Sequence, residues 1–399
     1  MKENIHVSQY NFHPEVVSGF RLPASIIVND VTLREGEQGS EVKFSAQEKV
    51  EFALMLDAAG VPQIEIGWAG TSAADREVIK RLKASGLRAR LQALVLTYDD
   101  TWPEQCDRCL ECGVDVIALL HAASAMRLRD LNTTPEAVLE KTSRAVDYVV
   151  SRGGTAAFVP TDSTRTDLSY LKEISANAVR AGASRIVLPD TVGAAMPGAM
   201  RYIVGEMVKT VPVPIHVHCH NDFGVGLANT LAAVEAGASM VDASVNGLGE
   251  RGGNTALDEL VMALEIMYGF DTGIDLSQMF KLSRHAERLS GVPLPLNKPL
   301  VGENAFAHKL DVHLRGVMND PALFETIPPE MVGNRRKLCL GGHAGPLVIR
   351  TKLEEMGLSA DETQVAEITA RVRASALEKR AGLDDNEFLG VYRQVVGGD

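Results

Sequence analysis

The segment IHVHCHND is where the sequence first shows chemistry: His216, His218 and His220 alternate with other residues. A strand sends alternate side chains to one face, so the three imidazoles share a face. Two neutral imidazoles two residues apart at a strand's carboxyl end, joined by a carboxylate, can bind one divalent cation. Nitrogen and oxygen donors of this kind suit Mg, Mn or Zn. His216 lies one layer deeper and reads as structural. A carboxylate is offered by NDVTLREGEQ, where Glu35 follows Arg34. Arg34 would then supply a fixed donor fork for an oxygen on which negative charge develops. Taken alone, an Arg-Glu pair is as readily a solvated surface pair. A third segment, NGLGERGGN (246–254), is a Gly-rich turn offering backbone amides and the side-chain amide of Asn254. Such turns can cradle an anion, or serve backbone geometry alone.

These residues need a scaffold that gathers strand ends. Short β-rich runs recur at 25–30, 63–68, 90–97, 115–121, 155–161, 184–190, 215–220 and 239–245, separated by amphipathic helical segments, several ending in Gly. Eight alternating strands and helices predict an α/β fold, a (β/α)₈ TIM barrel, over residues 25–285. An open doubly wound sheet is the competing topology, but no Gly-rich dinucleotide turn follows the first strand. In a barrel, polar residues at the carboxyl ends of strands point into the active site. Those ends collect Asp30, Arg34, Glu35, Glu65, His121, Thr161, Asp162, Asp190, Thr191, His218, His220 and Asn246. Residues 1–24 form an N-terminal extension. Residues 286–399 comprise a Pro/Gly-rich linker and a smaller, mainly helical C-terminal region.

Composition narrows the class. The chain of 399 residues carries a formal charge of −12, is 45% hydrophobic and only 5% aromatic. That composition is globular, and its acidity argues against general nucleic-acid binding. No run approaches the ~20 apolar residues of a membrane span, and the start lacks a signal-peptide h-region, so a cytoplasmic protein without a membrane partner is expected. The five cysteines fit reduced thiols. Cys106, Cys109 and Cys112 form a CxxCxxC run that reads as one small-residue helix face rather than an iron–sulfur site.

DVTLREGEQ, HCHNDFG and GLGERGGN, in that order and at those strand ends, resemble the DRE-TIM metallolyase superfamily. More narrowly they resemble its Claisen-condensing branch, the homocitrate, isopropylmalate and citramalate synthases. The likeness runs from about residue 25 to 350 and includes GENAFAHKLDVHLRGVMNDPALFETIPPEMVG. It implies a divalent metal on Glu35, His218 and His220, with Asn254 at or near it. It implies acetyl-CoA as co-substrate and a 2-oxo acid as acceptor, held by Arg34, Thr191 and Gln38. Arg34 would face the developing alkoxide, and His308, delivered from the post-barrel region of a partner subunit, would be the base of a homodimer. Glu35 rather than Asp, as in lysine-pathway homocitrate synthases, leans toward 2-oxoglutarate or another anionic 2-oxo acid. Arg127 and Arg129 would hold its distal carboxylate, or else are solvated helix charges. Isopropylmalate- or citramalate-type acceptors are the alternative. An HMG-CoA-lyase-like cleavage and a non-catalytic metal-binding relative are readings of other classes. Three positions depart from the pattern: Thr161 stands where the family has a Glu supporting the base, Asp311 replaces a Gly, and GKHSG becomes GGHAG.

Overall fold

The computed structural model describes residues 4–397. Eight parallel strands close into a barrel: β1 (Ile27–Asp30), β2 (Gln63–Glu65), β3 (Arg90–Leu96), β4 (Val116–Ala122), β5 (Ala156–Thr161), β6 (Ile186–Asp190), β7 (Ile215–Cys219) and β8 (Met240–Ala243). β1 closes the ring on β8, with Ile27 opposite Met240 and Asp30 opposite Ala243. The open sheet is therefore excluded, and each strand falls within a run expected from the sequence except β4, which runs one residue past its own, to Ala122.

Local signals start and stop the helices between strands. Ser45 caps the helix Ala46–Ala58 through a capping box: its hydroxyl accepts from the Glu48 amide at 3.2 Å, and Glu48 accepts from the Ser45 amide at 2.7 Å. The helix Trp102–Cys112 ends at Gly113, which takes a φ of 89° that residues with a Cβ disfavour. Cys106, Cys109 and Cys112 lie buried along this helix as free thiols. The cysteine run is thus a packing face.

The barrel interior is divided. On β3 to β6, Leu94, Val116, Ala118, Ala157, Val159 and Val187 form an apolar cluster. Elsewhere, including Gln92 on β3 and Arg185 next to β6, the interior is polar and hydrogen-bonded. Gln63 donates to Asn29 at 3.0 Å and to Gln92 at 3.1 Å, Arg185 donates to Gln92, and Asn29 donates to Asp242 at 2.6 Å. A buried polar group without partners costs roughly 1–3 kcal/mol, so a core containing this many amides needs such a connected set.

By compactness the chain divides at 293/294. One unit is Gln9–Pro293, and the other joins residues 4–8 to residues 294–397. The second unit packs four helices, Asp311–Asn319, Pro346–Glu355, Glu362–Lys379 and Asp385–Val396, around Val348, Ile349, Ile368, Val372 and Phe388. It also contains a short parallel strand pair, Ala307–His308 with Lys337–Leu338. Here Asp311 has a definite job. Its carboxylate accepts from the amides of Leu347 and Val348 at 3.1 and 3.2 Å, at the start of the helix Pro346–Glu355. A Cβ on Gly345 would sit 2.1 Å from Asp311 Oδ2, so this acid and this glycine require each other. Among the described residues, no helix is long and apolar enough to cross a membrane.

Candidate active site

β7 carries the imidazoles as alternation requires. His218 and His220 face each other with their Nε2 atoms 3.3 Å apart. Glu35, just beyond β1, brings Oε2 to 3.9 Å from His218 Nε2 and Oε1 to 3.6 Å from His220 Nε2. All three are buried, and their ligand atoms lie within 4.8 Å of one another. Two further observations fit a cation. Glu35 Oε1 and Asn254 Oδ1 are buried with no hydrogen-bond partner among the described residues. The Asn254 amide lies beside the three residues, with its Nδ2 3.1 Å from His218 Nε2. Two imidazoles, a carboxylate and an amide oxygen make a donor set suited to Mg, Mn or Zn.

His218 is aimed by Asp242 on β8. One Asp242 oxygen is 2.7 Å from His218 Nδ1, the other 2.7 Å from His216 Nε2. Asp242 stays ionised: burial would raise its pKa, but the two imidazoles lower it far more. With Nδ1 donating to a carboxylate, His218 presents Nε2 as a lone pair, which is the tautomer a ligand needs. His216 is thereby confirmed as a deeper, structural partner of the same acid. Burial pushes the His220 pKa down to about 3, so this ring is neutral. Asp242 was not among the expected site residues. The signal was present, since an acid stands between Val241 and Ala243 within a strand otherwise apolar there.

Arg34 is buried and held on several sides. Its Nε donates to Glu65, and its Nη1 donates to Glu35 and, at 2.7 Å, to Gln38. Burial opposes its charge, but Glu35 and Glu65 more than offset that and raise its pKa. The Arg34-Glu35 pair is therefore no surface pair. The Gly-rich turn serves geometry. A Cβ on Gly249 would lie 1.9 Å from Asn254 Oδ1 and 3.3 Å from Glu35 Cγ, filling the place of the amide.

A cavity of about 300 Å³ opens beside these groups. Arg34, Glu35, Gln38, Thr191, His218 and His220 line one side, and Leu94, Leu120, Val159 and Val187 the other. Thr191 Oγ1 accepts from the Asp162 amide at 2.9 Å, which leaves its proton to donate inward. Arg127 reaches the cavity and lies 3.8 Å from Asp162. Arg129 is exposed and outside it, so of the two arginines it is the solvated one. Other strand-end residues are structural. Asp190 accepts from Thr164 Oγ1 at 2.8 Å and from the amides of Ala194 and Ala195, and Asn246 bonds Ser283. Thr161 lines the cavity and supplies no carboxylate.

His308 belongs to the second unit and does possess a carboxylate. Its Nε2 is 3.0 Å from Glu325 Oε1, and Arg336 clamps both oxygens of Glu325 at 2.7 Å. Both His308 and Glu325 are buried. The acid missing at position 161 is thus matched by one 17 residues after the histidine.

Fold and site define a (β/α)₈ barrel with a buried His-His-carboxylate cluster at its rim. The chain belongs to the HMGL-like family, matched over residues 25–285, followed by a homocitrate synthase post-HMGL domain-like region over residues 300–380. It is 39% identical to homocitrate synthase AksA of Methanopyrus kandleri, across 96% of this chain and 95% of that protein. It is 38% identical to 2-isopropylmalate synthase and to (R)-citramalate synthase CimA of Methanocaldococcus jannaschii, covering 96% and 92% of this chain and 74% of each of those proteins. Among solved structures, the barrel resembles HMG-CoA lyase of Bacillus subtilis, with TM-score 0.60, 22% identity, and coverage of 69% of this chain and 96% of that one. That likeness shows the fold alone.

Proposed function

We propose that the protein is an acyltransferase that condenses acetyl-CoA with a 2-oxo acid and hydrolyses the thioester. Its homocitrate-synthase relative, matched over nearly its whole length, and the presence of both family regions support this reading. The observation that carries it is the juxtaposition of Arg34 with Glu35, His218 and His220 around one cavity. Glu35, His218 and His220, with Asn254 beside them, would hold a divalent cation, whose chemistry here would be Lewis acidity toward an acceptor carbonyl.

The chain's own groups do the rest. Arg34 donates to the carbonyl oxygen as it gains negative charge, in a buried site where such a bond is strongest. Thr191 donates to the acceptor's carboxylate. His308, oriented by Glu325, takes a proton from the acetyl methyl group, and the carbon so freed attacks the acceptor carbonyl. Water then cleaves the thioester, releasing CoA. In this reading the chain acts as a homodimer, with His308 serving the partner's barrel.

Arg127 at the cavity supports an acceptor with a second anionic group, such as 2-oxoglutarate. The wall of Leu94, Leu120, Val159 and Val187 favours a second reading, an acceptor with a branched apolar side chain as in isopropylmalate formation. Release of free CoA from acetyl-CoA, measured with Mg or Mn and a panel of 2-oxo acids, tests both. Turnover with an acceptor, lost in His218→Ala together with metal binding, is the expected result. Silence with every acceptor in a protein that binds metal refutes the synthase reading.

A further inference from the structure

The second unit contains a groove of about 1080 Å³ that no part of the proposed chemistry uses. It is more than three times the size of the barrel cavity, large enough for a nucleotide-sized ligand. Its walls come from separate segments: Lys309 after the strand Ala307–His308, Arg335 to Gly342 around the strand Lys337–Leu338, Lys352, and Arg380 to Asn386. Six of the lining residues are Lys or Arg and three are Asp or Glu, in a chain whose net charge is −12.

The three acids and two of the cations are already engaged. Lys352 pairs with Asp385 at 2.8 Å and with Glu355 at 3.5 Å. Asp384 caps the helix Asp385–Val396, accepting from the amides of Asn386 and Glu387 at 2.9 Å. Arg336 is committed to Glu325. Lys309, Arg335, Lys337 and Arg380 remain, and none forms an ion pair among the described residues. All four are exposed and line one concavity. Gathering unpaired like charges raises their energy unless a counter-charge arrives. Two of them are arginines, whose planar forks match phosphate oxygens, and two are lysines acting as point charges. The floor includes Gly341 and Gly342, so the backbone is open to a close-lying ligand. A Cβ on Gly341 would stand 3.0 Å from Lys309 Cε, which places that lysine's stem directly over the floor.

We propose that this groove binds a nucleotide-sized ligand bearing clustered phosphates. Two sources share that chemistry. One is the 3′-phosphorylated ADP end of the co-substrate, an assignment that rests on the acetyl-CoA reading above. The other is a free nucleotide that takes no part in the condensation.

Calorimetric titration of the full-length protein at low salt, with 3′,5′-ADP and with ATP as probes, tests the proposal without requiring turnover. At least one probe should bind, and Arg335→Glu with Lys337→Glu should weaken it by roughly tenfold to hundredfold. The charge-keeping pair Arg335→Lys with Lys337→Arg should retain most of the affinity, separating lost charge from lost folding. Binding that acetyl-CoA displaces, with a raised KM for acetyl-CoA in the charge-reversed protein, assigns the groove to the co-substrate. Binding that persists beside saturating acetyl-CoA assigns it to a separate nucleotide. No binding of either probe, or equal binding by the wild-type and charge-reversed proteins, overturns the proposal. Absence of turnover with all acceptors would instead refute the synthase reading and leave this result standing.

Discussion

Asp242→Asn isolates the part of the site that aims a ligand without being one. Asp242 Oδ1 accepts from both Asn29 at 2.6 Å and His216 at 2.7 Å, whereas Oδ2 meets only His218. An amide there keeps most bonds by leaving its oxygen on the crowded side and turning its NH₂ toward His218 Nδ1. His218 then becomes an acceptor at Nδ1, so its proton moves to Nε2, the atom facing Glu35 and His220. Binding a cation forces the proton back to Nδ1, against a donor. The lost charge-assisted bond is worth about 1.5–3 kcal/mol, and at 1.4 kcal/mol per decade this weakens metal affinity roughly 10- to 100-fold. The assay is titration of chelator-stripped protein with Mn(II), with free metal read by paramagnetic resonance and folding checked by circular dichroism. If Asp242→Asn binds Mn(II) within about twofold of wild type while His218→Ala does not bind, the tautomer argument fails.

Five other outcomes are expected. Glu325→Gln should lower kcat while leaving metal affinity unchanged, since it touches His308 and Arg336 and none of the donors at Glu35, His218 and His220; an unaltered kcat would remove His308 from the mechanism. Although burial opposes it, Arg336 and His308 hold the Glu325 carboxyl below the usual carboxylate range. Its stabilisation is therefore present above that range and lost as pH falls through the lowered value, and denaturant melts should show this loss in wild type but not in Glu325→Gln. Burial raises the Cys106 thiol to about 12 and also raises Cys109 and Cys112, so native-state alkylation should mark the half-exposed Cys339 first. Gly345→Ala should destabilise the second unit by roughly 1–3 kcal/mol through its clash with Asp311, and adding Asp311→Gly should recover part of that loss in thermal melts. Arg127→Gln should raise KM for a dicarboxylic 2-oxo acid more than for a branched apolar one; equal effects would detach Arg127 from the acceptor.

The residues legible in the sequence were those whose spacing is local. His216, His218 and His220 declare a shared face through a period of two, and Gly113 ends its helix by backbone preference alone. Glu35, Arg34 and Asn254 could be gathered because barrel topology sends strand ends to one rim. What stayed hidden depends on contacts across long stretches of chain. Asp242 meets His218 only after β7 and β8 pair, Glu325 reaches His308 only across the intervening helix Asp311–Asn319, and Asp311 explains itself only beside Gly345. The four groove cations are scattered from 309 to 380, and no window of sequence contains them together.

The division of the barrel interior into a polar network and an aliphatic cluster bears on how such a protein can change over generations. The hydrogen-bonded side is a single connected unit: altering Asn29, Gln63 or Gln92 propagates to Asp242 and then to the imidazoles. The aliphatic side at Leu94, Val159 and Val187 makes only dispersion contacts, which tolerate exchange of one hydrocarbon shape for another. These residues on β3 to β6 can therefore change one by one while the His-His-carboxylate cluster is left intact. One scaffold of this kind can seed enzymes for several 2-oxo acids without reinventing its chemistry.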